Sequence, residues 1–209
     1  MTKNVEVEFI GKISKEQFNS LKNKFQQVGK FKKSKKRISF MYFKKGVPEK
    51  YSAAEDDEID LRMRITNGEP EIIVKQGKFT AAHSRKETSI FFKPSEIEKY
   101  VNFLMALGWK CGVIYTAETQ TYEYKEIEFS LVKIKDYGYN FEAEILTSED
   151  KIEEAKKKIM VELDILKIKP FEEEGLNNQC NAINNNVKLH FDLSKQSFNE
   201  LRNRFKEFF

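Results

Sequence analysis

The sequence predicts an α+β protein: an antiparallel β-sheet, closed or nearly closed into a barrel, with helices packed on its outside. Three observations carry this. About eight segments read as strands, and most follow one another as a meander with short turns. Three stretches with apolar residues at helical spacing lie between or after them. Several strands carry charged residues two apart, which share one face, while apolar residues take the other.

Residues 5–10 alternate apolar and acidic side chains, as a strand does. Ser14 followed by Gln17 is a capping-box pattern. Phe18, Leu21, Phe25 and Val28 recur at helical spacing, and Gly29 is the expected stop. Residues 30–37 are basic and read as a solvated loop; residues 38–43 read as a strand. Residues 46–57 form a polar loop containing Pro48. Strands at 59–66 and 71–76 flank Asn67-Gly68, a pair that accepts the left-handed backbone of a two-residue hairpin turn. Residues 85–92 make another strand. Pro94 and Ser95 open a helix that turns Ile97, Val101, Leu104 and Leu107 inward and stops at Gly108. Two or more strands occupy 112–134, and 139–146 is the last of the set. Ser148 caps a long helix from near Glu149, with Ile152, Ala155, Ile159 and Leu163 inward.

The 209 residues suit one large domain, placed at 1–183, with a tail at 184–209. The 37 basic and 33 acidic residues nearly cancel, which argues against bulk nucleic-acid coating as the main task. Cys111 and Cys180 lie far apart without metal spacing, and with His83 and His190 as the chain's two histidines this argues against a zinc site. No apolar run approaches a membrane span and no signal peptide is visible, so the expectation is a cytoplasmic protein with reduced thiols.

The tail repeats the opening of the chain. Residues 187–191 and 193–205 match 5–9 and 13–25, with Ser, Lys, Phe, Asn, Leu, Asn and Phe identical in place in the helical part. The reading is a duplication of residues 4–28, the start of a truncated second copy. Phe198, Leu201, Phe205 and Phe208 form a helical stripe that, left uncovered, would serve as a homodimer contact.

The charged pairs are Glu6 and Glu8, Arg62 and Arg64, Arg85 and Glu87, and Glu142 and Glu144. In one arrangement these faces meet water over an ordinary core. In the other, the apolar faces pack under helices and the charged faces line a wet interior that holds a ligand, because buried charges need partners. The pattern alone leaves both open.

Glu6-Val-Glu8, Asp60-Leu-Arg62-Met-Arg64 with Glu71-Ile-Ile-Val-Lys75, Ser84-Arg85-Lys-Glu87, and Gly138-Tyr-Asn-Phe-Glu142-Ala-Glu144 occur in the order found in the CYTH family of triphosphate tunnel proteins. The chain resembles that family over about residues 4 to 180. The family includes class IV adenylyl cyclases, thiamine triphosphatases and inorganic tripolyphosphatases, and its superfamily includes RNA 5′-triphosphatases. The resemblance implies a metal-dependent phosphohydrolase acting on tripolyphosphate or a nucleoside or organic triphosphate. A non-catalytic binder of triphosphate, nucleotide or an RNA 5′ end, and a class IV-type adenylyl cyclase, are the alternatives. It implies Mg²⁺ or Mn²⁺ held by Glu6, Glu8, Glu142 and Glu144, since hard dications take oxygen ligands. It implies phosphate contacts from Arg62, Arg64, Lys75, Arg85 and Lys12, with Glu87 and Glu128 in support. Glu6, Glu8, Arg62, Arg64 and Lys75 are the implied catalytic set.

The chain also departs from the family pattern. Ile10 stands where a lysine is usual, with Lys12 two residues on and Gly11 a place where the strand could bend. Glu118 and Gln120 stand where a basic pair is expected, Val132 in place of an Asp, and Phe40 in place of another. Each missing cation facing phosphate removes about 1.5–3 kcal/mol of charged hydrogen bonding.

Overall fold

The computed structural model describes residues 4–49, 59–76, 82–83 and 86–209. In chain order these form β1 (Asn4–Ile13), α1 (Lys15–Val28), β2 (Lys30–Phe43), β3 (Asp60–Thr66), β4 (Glu69–Gln76), β5 (Ala82–His83), β6 (Lys86–Phe91), α2 (Ile97–Ala106), β7 (Cys111–Tyr124), β8 (Ile127–Ile134), β9 (Gly138–Ser148), α3 (Ile152–Leu166), α4 (Glu173–Asn184), β10 (His190–Asp192) and α5 (Phe198–Arg204). The protein is α+β and its sheet is antiparallel. No helix among the described residues is long and apolar enough to cross a membrane.

The chain divides into two compact units. The first comprises Met1–Lys35, Phe79–Ser84 and Ala117–Leu176; the second comprises Lys36–Lys78, Arg85–Thr116 and Asn177–Phe209. Strands β2 and β7 contribute residues to both.

In the first unit the strand order is β5-β1-β9-β8-β7. One face is apolar. Val7, Phe141, Ala143, Phe129, Leu131 and Tyr122 pack with Leu21 and Phe25 of α1 and with Ala155, Ile159 and Leu163 of α3. Helix α1 starts as its sequence requires. Ser14 Oγ accepts from the Gln17 backbone N–H at 3.1 Å, and Gln17 Oε1 accepts from Ser14 N–H at 2.9 Å. Gly11 does not bend β1. The strand runs on to Ile13 in register with β9, and Lys12 pairs with Asn140. The glycine instead permits a close approach: a Cβ there would lie 2.3 Å from Lys169 O.

In the second unit β2-β3-β4-β6 form the ladder, and β10 pairs with β7 at His190 to Val113. Ile38, Phe40, Tyr42, Leu61, Met63 and Ile65 form its core with Ile97, Val101 and Leu104 of α2. Asn67 and Gly68 both have positive φ, 52° and 86°, so the hairpin turn is of the kind the dipeptide favours.

The basic stretch at residue 30 is not a loop. It is the first half of β2, a single strand of 14 residues. Facing acids make this tenable: Lys32 pairs with Glu123 at 2.9 Å and Lys33 with Glu128 at 3.0 Å. Residues 50–57 of the expected polar loop lie outside the described residues. Helix α4 is not among the expected elements; its sequence is polar and rich in asparagine, and its apolar stripe is only Leu176, Cys180 and Ile183.

The tail belongs to the second unit. Leu201, Phe205 and Phe208 are buried in that unit's core, and Phe198 packs against it. The apolar stripe is therefore covered, which removes the exposed patch on which tail-mediated pairing of two copies would rest. The parallel with the N-terminus is close in burial, Leu21 and Phe25 matching Leu201 and Phe205. It differs in start point. Helix α5 is capped by Ser197 with Glu200, while the Ser194 hydroxyl donates to Asp192 Oδ1 at 2.5 Å.

Among the described residues the ladder ends at β5 in the first unit and at β6 in the second, so the expected full closure is not seen.

Candidate functional site

The face of the first unit opposite its helices is acidic. Antiparallel register puts Glu8 opposite Glu144, Glu144 opposite Glu128, and Glu128 opposite Glu123. Directly opposed residues share a face, so four carboxylates form one row across β1, β9, β8 and β7. Glu6 and Glu142 sit on the same face, two residues along their strands. Carboxylate oxygens of Glu6, Glu8 and Glu144 lie within 4.8 Å of one another. Glu8, Glu128, Glu142 and Glu144 are half-buried; Glu6 is exposed.

Like charges directly opposed destabilise a sheet. Lys33 balances Glu128 and Lys32 balances Glu123. Glu144 keeps a large imbalance. Burial, then the charges of Glu6, Glu128 and Glu142, push its carboxyl up to about 7, against an ordinary value of 4.5; Lys33 only partly opposes this. An all-oxygen donor set with excess negative charge fits a hard divalent cation. Glu142 lies in the next row, opposite Ser130 and Ile10. Ser130 and Thr121 share a hydrogen bond of 2.9 Å between their hydroxyls. Lys12 is exposed on the same face, its Nζ 4.8 Å from the Tyr137 ring centre, beside a buried Asn140 whose Oδ1 makes no hydrogen bond.

The second unit carries the cations. Asp60, Arg62, Arg64 and Thr66 share one face of β3, while Leu61, Met63 and Ile65 point to the core. Asp60 grips Arg62 in a fork, accepting from Nε at 2.7 Å and from Nη2 at 2.6 Å. Burial opposes charge on Arg62, but Asp60 outweighs it and holds the guanidinium above its ordinary value. Lys75 lies in register with Glu87 and pairs with it at 2.6 Å. Burial would raise the Glu87 carboxyl; Lys75, with Arg64 and Arg62 behind it, holds it low.

Arg64 differs from both. It is 8% exposed, and its Nε makes no hydrogen bond. Burial and the Arg62 charge beside it lower its guanidinium from the ordinary value. Ser39, fully buried and also without a hydrogen bond, is its register partner on β2. Burial alone would raise the Tyr115 phenol, yet Arg62 and Arg64, with Ser39 and Arg37, bring it below the ordinary value.

The structure thus brings Glu6, Glu8, Glu142, Glu144 and Glu128 onto one face of the first unit. It places Arg62, Arg64, Lys75 and Glu87 together in the second. Arg85 lies outside the described residues. Glu118 and Gln120 are not substitutes within the acidic face. The register puts Thr119 and Thr121 there, and the pleat turns Glu118 and Gln120 to the other side. Glu118 is exposed near Lys133, and Gln120 lines a cleft with Phe25, Phe31 and Tyr122. Ser39, Asp60, Tyr115, Glu123 and Lys33 were not singled out from sequence. Alternation assigns a face within a strand, but only register shows which strand lies beside it.

No protein-family model and no curated protein matches the chain at the level of sequence. Solved structures do. The PH1819 protein of Pyrococcus horikoshii OT3 superposes with a TM-score of 0.63 at 24% identity, over 80% of this chain and 93% of that one. HpAC1 of Hippeastrum, whose dominant activity is triphosphatase, gives 0.55 at 13% identity, over 79% and 89%. A candidate adenylate cyclase from Vibrio parahaemolyticus gives 0.57 at 14% identity, over 82% and 91%. The fold is of the CYTH type. At these identities the likeness speaks for the CYTH-type fold alone, and the chemistry is argued from the residues.

Proposed function

We propose that this protein is a metal-dependent triphosphate-binding phosphohydrolase, acting on tripolyphosphate or a nucleoside or organic triphosphate. The observation that supports this best is the row of opposed carboxylates centred on Glu144, whose carboxyl is pushed up by burial and by its acidic neighbours. Glu6, Glu8 and Glu144 would hold Mg²⁺ or Mn²⁺, with Glu142 beside them. A cation held by these carboxylates would supply charge neutralisation for a phosphate.

The second unit, taken by itself, carries groups suited to phosphate. Asp60 fixes the Arg62 plane and leaves its remaining N–H groups for phosphate oxygens. Arg64 brings a guanidinium not yet committed at Nε. Lys75, steadied by Glu87, adds a point charge. Lys12 is a further candidate on the acidic face. Phosphoryl transfer asks mainly for such positioning and charge stabilisation.

A second reading is a binder without turnover, for triphosphate, nucleotide or an RNA 5′ end. It is favoured by one observation: Arg62 and Lys75 are already paired with carboxylates, which reduces the cationic charge left for a transition state. Phosphate release from tripolyphosphate and ATP, with Mg²⁺ or Mn²⁺, tests the choice. Metal-dependent release that disappears in Glu8→Gln and in Arg64→Ala supports the hydrolase. Tight binding of tripolyphosphate without release supports the binder, and cyclic AMP with pyrophosphate from ATP would replace both by a cyclase.

A further inference from the structure

Ser39 and Arg64 carry polar groups that the fold leaves without use. Ser39 and Arg64 are register partners across β2 and β3, 0% and 8% exposed. Their Oγ and Nε atoms are buried with no hydrogen bond. A buried polar atom left unpaired is costly, and two such donors on adjacent strands concentrate that cost in one place. Apolar residues would remove it: Met41, next but one to Ser39 on β2, stands opposite Arg62.

The phenol of Tyr115, a half-buried residue, lies beside the same arginines and against the Ser39 hydroxyl. Neighbouring Arg62 is held in Asp60's fork, so its orientation is fixed from outside the group. A hydroxyl, a phenol and a guanidinium Nε are all donors. Ser39 Oγ and Arg64 Nε, buried on adjacent strands without an acceptor, suit an anion with several acceptor oxygens, and the Tyr115 phenol stands next to them.

We propose that Ser39 and Tyr115 are hydroxyl donors that, with Arg64, form a subsite for one phosphate group of the oligophosphate. This rests on the cationic face being the phosphate-binding face, as put forward above. It goes further in naming two uncharged residues that set affinity there. Arg64 supplies the charge; Ser39 and Tyr115 supply direction.

Titration calorimetry of the metal-free protein with tripolyphosphate, and separately with inorganic phosphate, tests it. The variants are Ser39→Ala, Tyr115→Phe and the two combined. Each single change is expected to weaken tripolyphosphate binding about tenfold, the loss of one hydrogen bond to a charged group. Ser39→Ala is expected not to lower the melting temperature, because it removes an unsatisfied buried hydroxyl. Tripolyphosphate should perturb the tyrosine ultraviolet difference spectrum of wild type, and that signal should be lost in Tyr115→Phe. If wild type binds and the variants bind equally well, the subsite is overturned while the cationic face stands. If wild type binds neither anion, both fall.

Discussion

Glu8 and Glu144 stand directly opposite one another across the β1–β9 ladder, with carboxylate oxygens within 4.8 Å. A sheet gains from opposite charges at such a position and loses from like ones. The chain keeps two acids there, and adds Glu128 on the other side of Glu144.

Acidity is the first consequence. The Glu144 carboxyl is pushed up to about 7 by burial and its acidic neighbours. A raised carboxyl means that the native state holds a proton the unfolded chain releases. Its contribution to stability is full below the ordinary 4.5 and is lost as pH rises through about 7. The metal-free protein should therefore lose more melting temperature between about pH 5 and pH 8 than Glu144→Gln does. Parallel profiles for the two proteins would contradict the assignment.

Cation response is the second. Above neutral pH, Mg²⁺ or Mn²⁺ should raise the melting temperature of wild type, and a chelator should reverse it. Glu8→Gln should lose most of the cation response. A variant that still responds fully would sink the idea.

Arg64 and Arg62 should behave oppositely when altered. Arg64→Met replaces a buried guanidinium with an unsatisfied Nε, so stability should hold or rise by about 1 kcal/mol while tripolyphosphate affinity falls. Asp60→Asn strips the fork from buried Arg62 and should cost about 3 kcal/mol. Chemical denaturation of both variants checks the contrast. Equal losses would show that Arg64 is structural.

Gly112 gives a packing test. A Cβ there would stand 1.8 Å from Met41 O and 2.8 Å from the Phe191 ring. Gly112→Ala should destabilise by about 2–4 kcal/mol, because backbone rather than a flexible side chain must yield. A change below about 1 kcal/mol in denaturation would show that β7 can shift.

The alternation of Glu6 and Glu8, of Arg62 and Arg64, and of Glu142 and Glu144 made the charged faces legible, since a strand's period of two follows from backbone geometry. The Asn67-Gly68 turn and the Ser14 cap were legible because their chemistry is local. Register was not. It arises from contacts far apart in sequence, so the row of Glu8, Glu144, Glu128 and Glu123 could not be read, nor could the seating of Ser39 beside Arg64. The same gap put Glu118 and Gln120 on the wrong face. The basic run misled differently: lysines suggest solvent until the partners Glu123 and Glu128 are known.

The burial of Leu201, Phe205 and Phe208 in the core of the second unit bears on synthesis. A ribosome delivers the chain from its N-terminus at about 5–20 residues per second. The core of the first unit has all its members by Ile168, whereas that of the second waits for Phe208. Strands β2, β3 and β4 are therefore made early and finished late. During that interval Phe40, Met63 and Ile65 lack the covering that α5 and β10 bring, so this apolar face stays open on the nascent chain until residues 190–208 have been made.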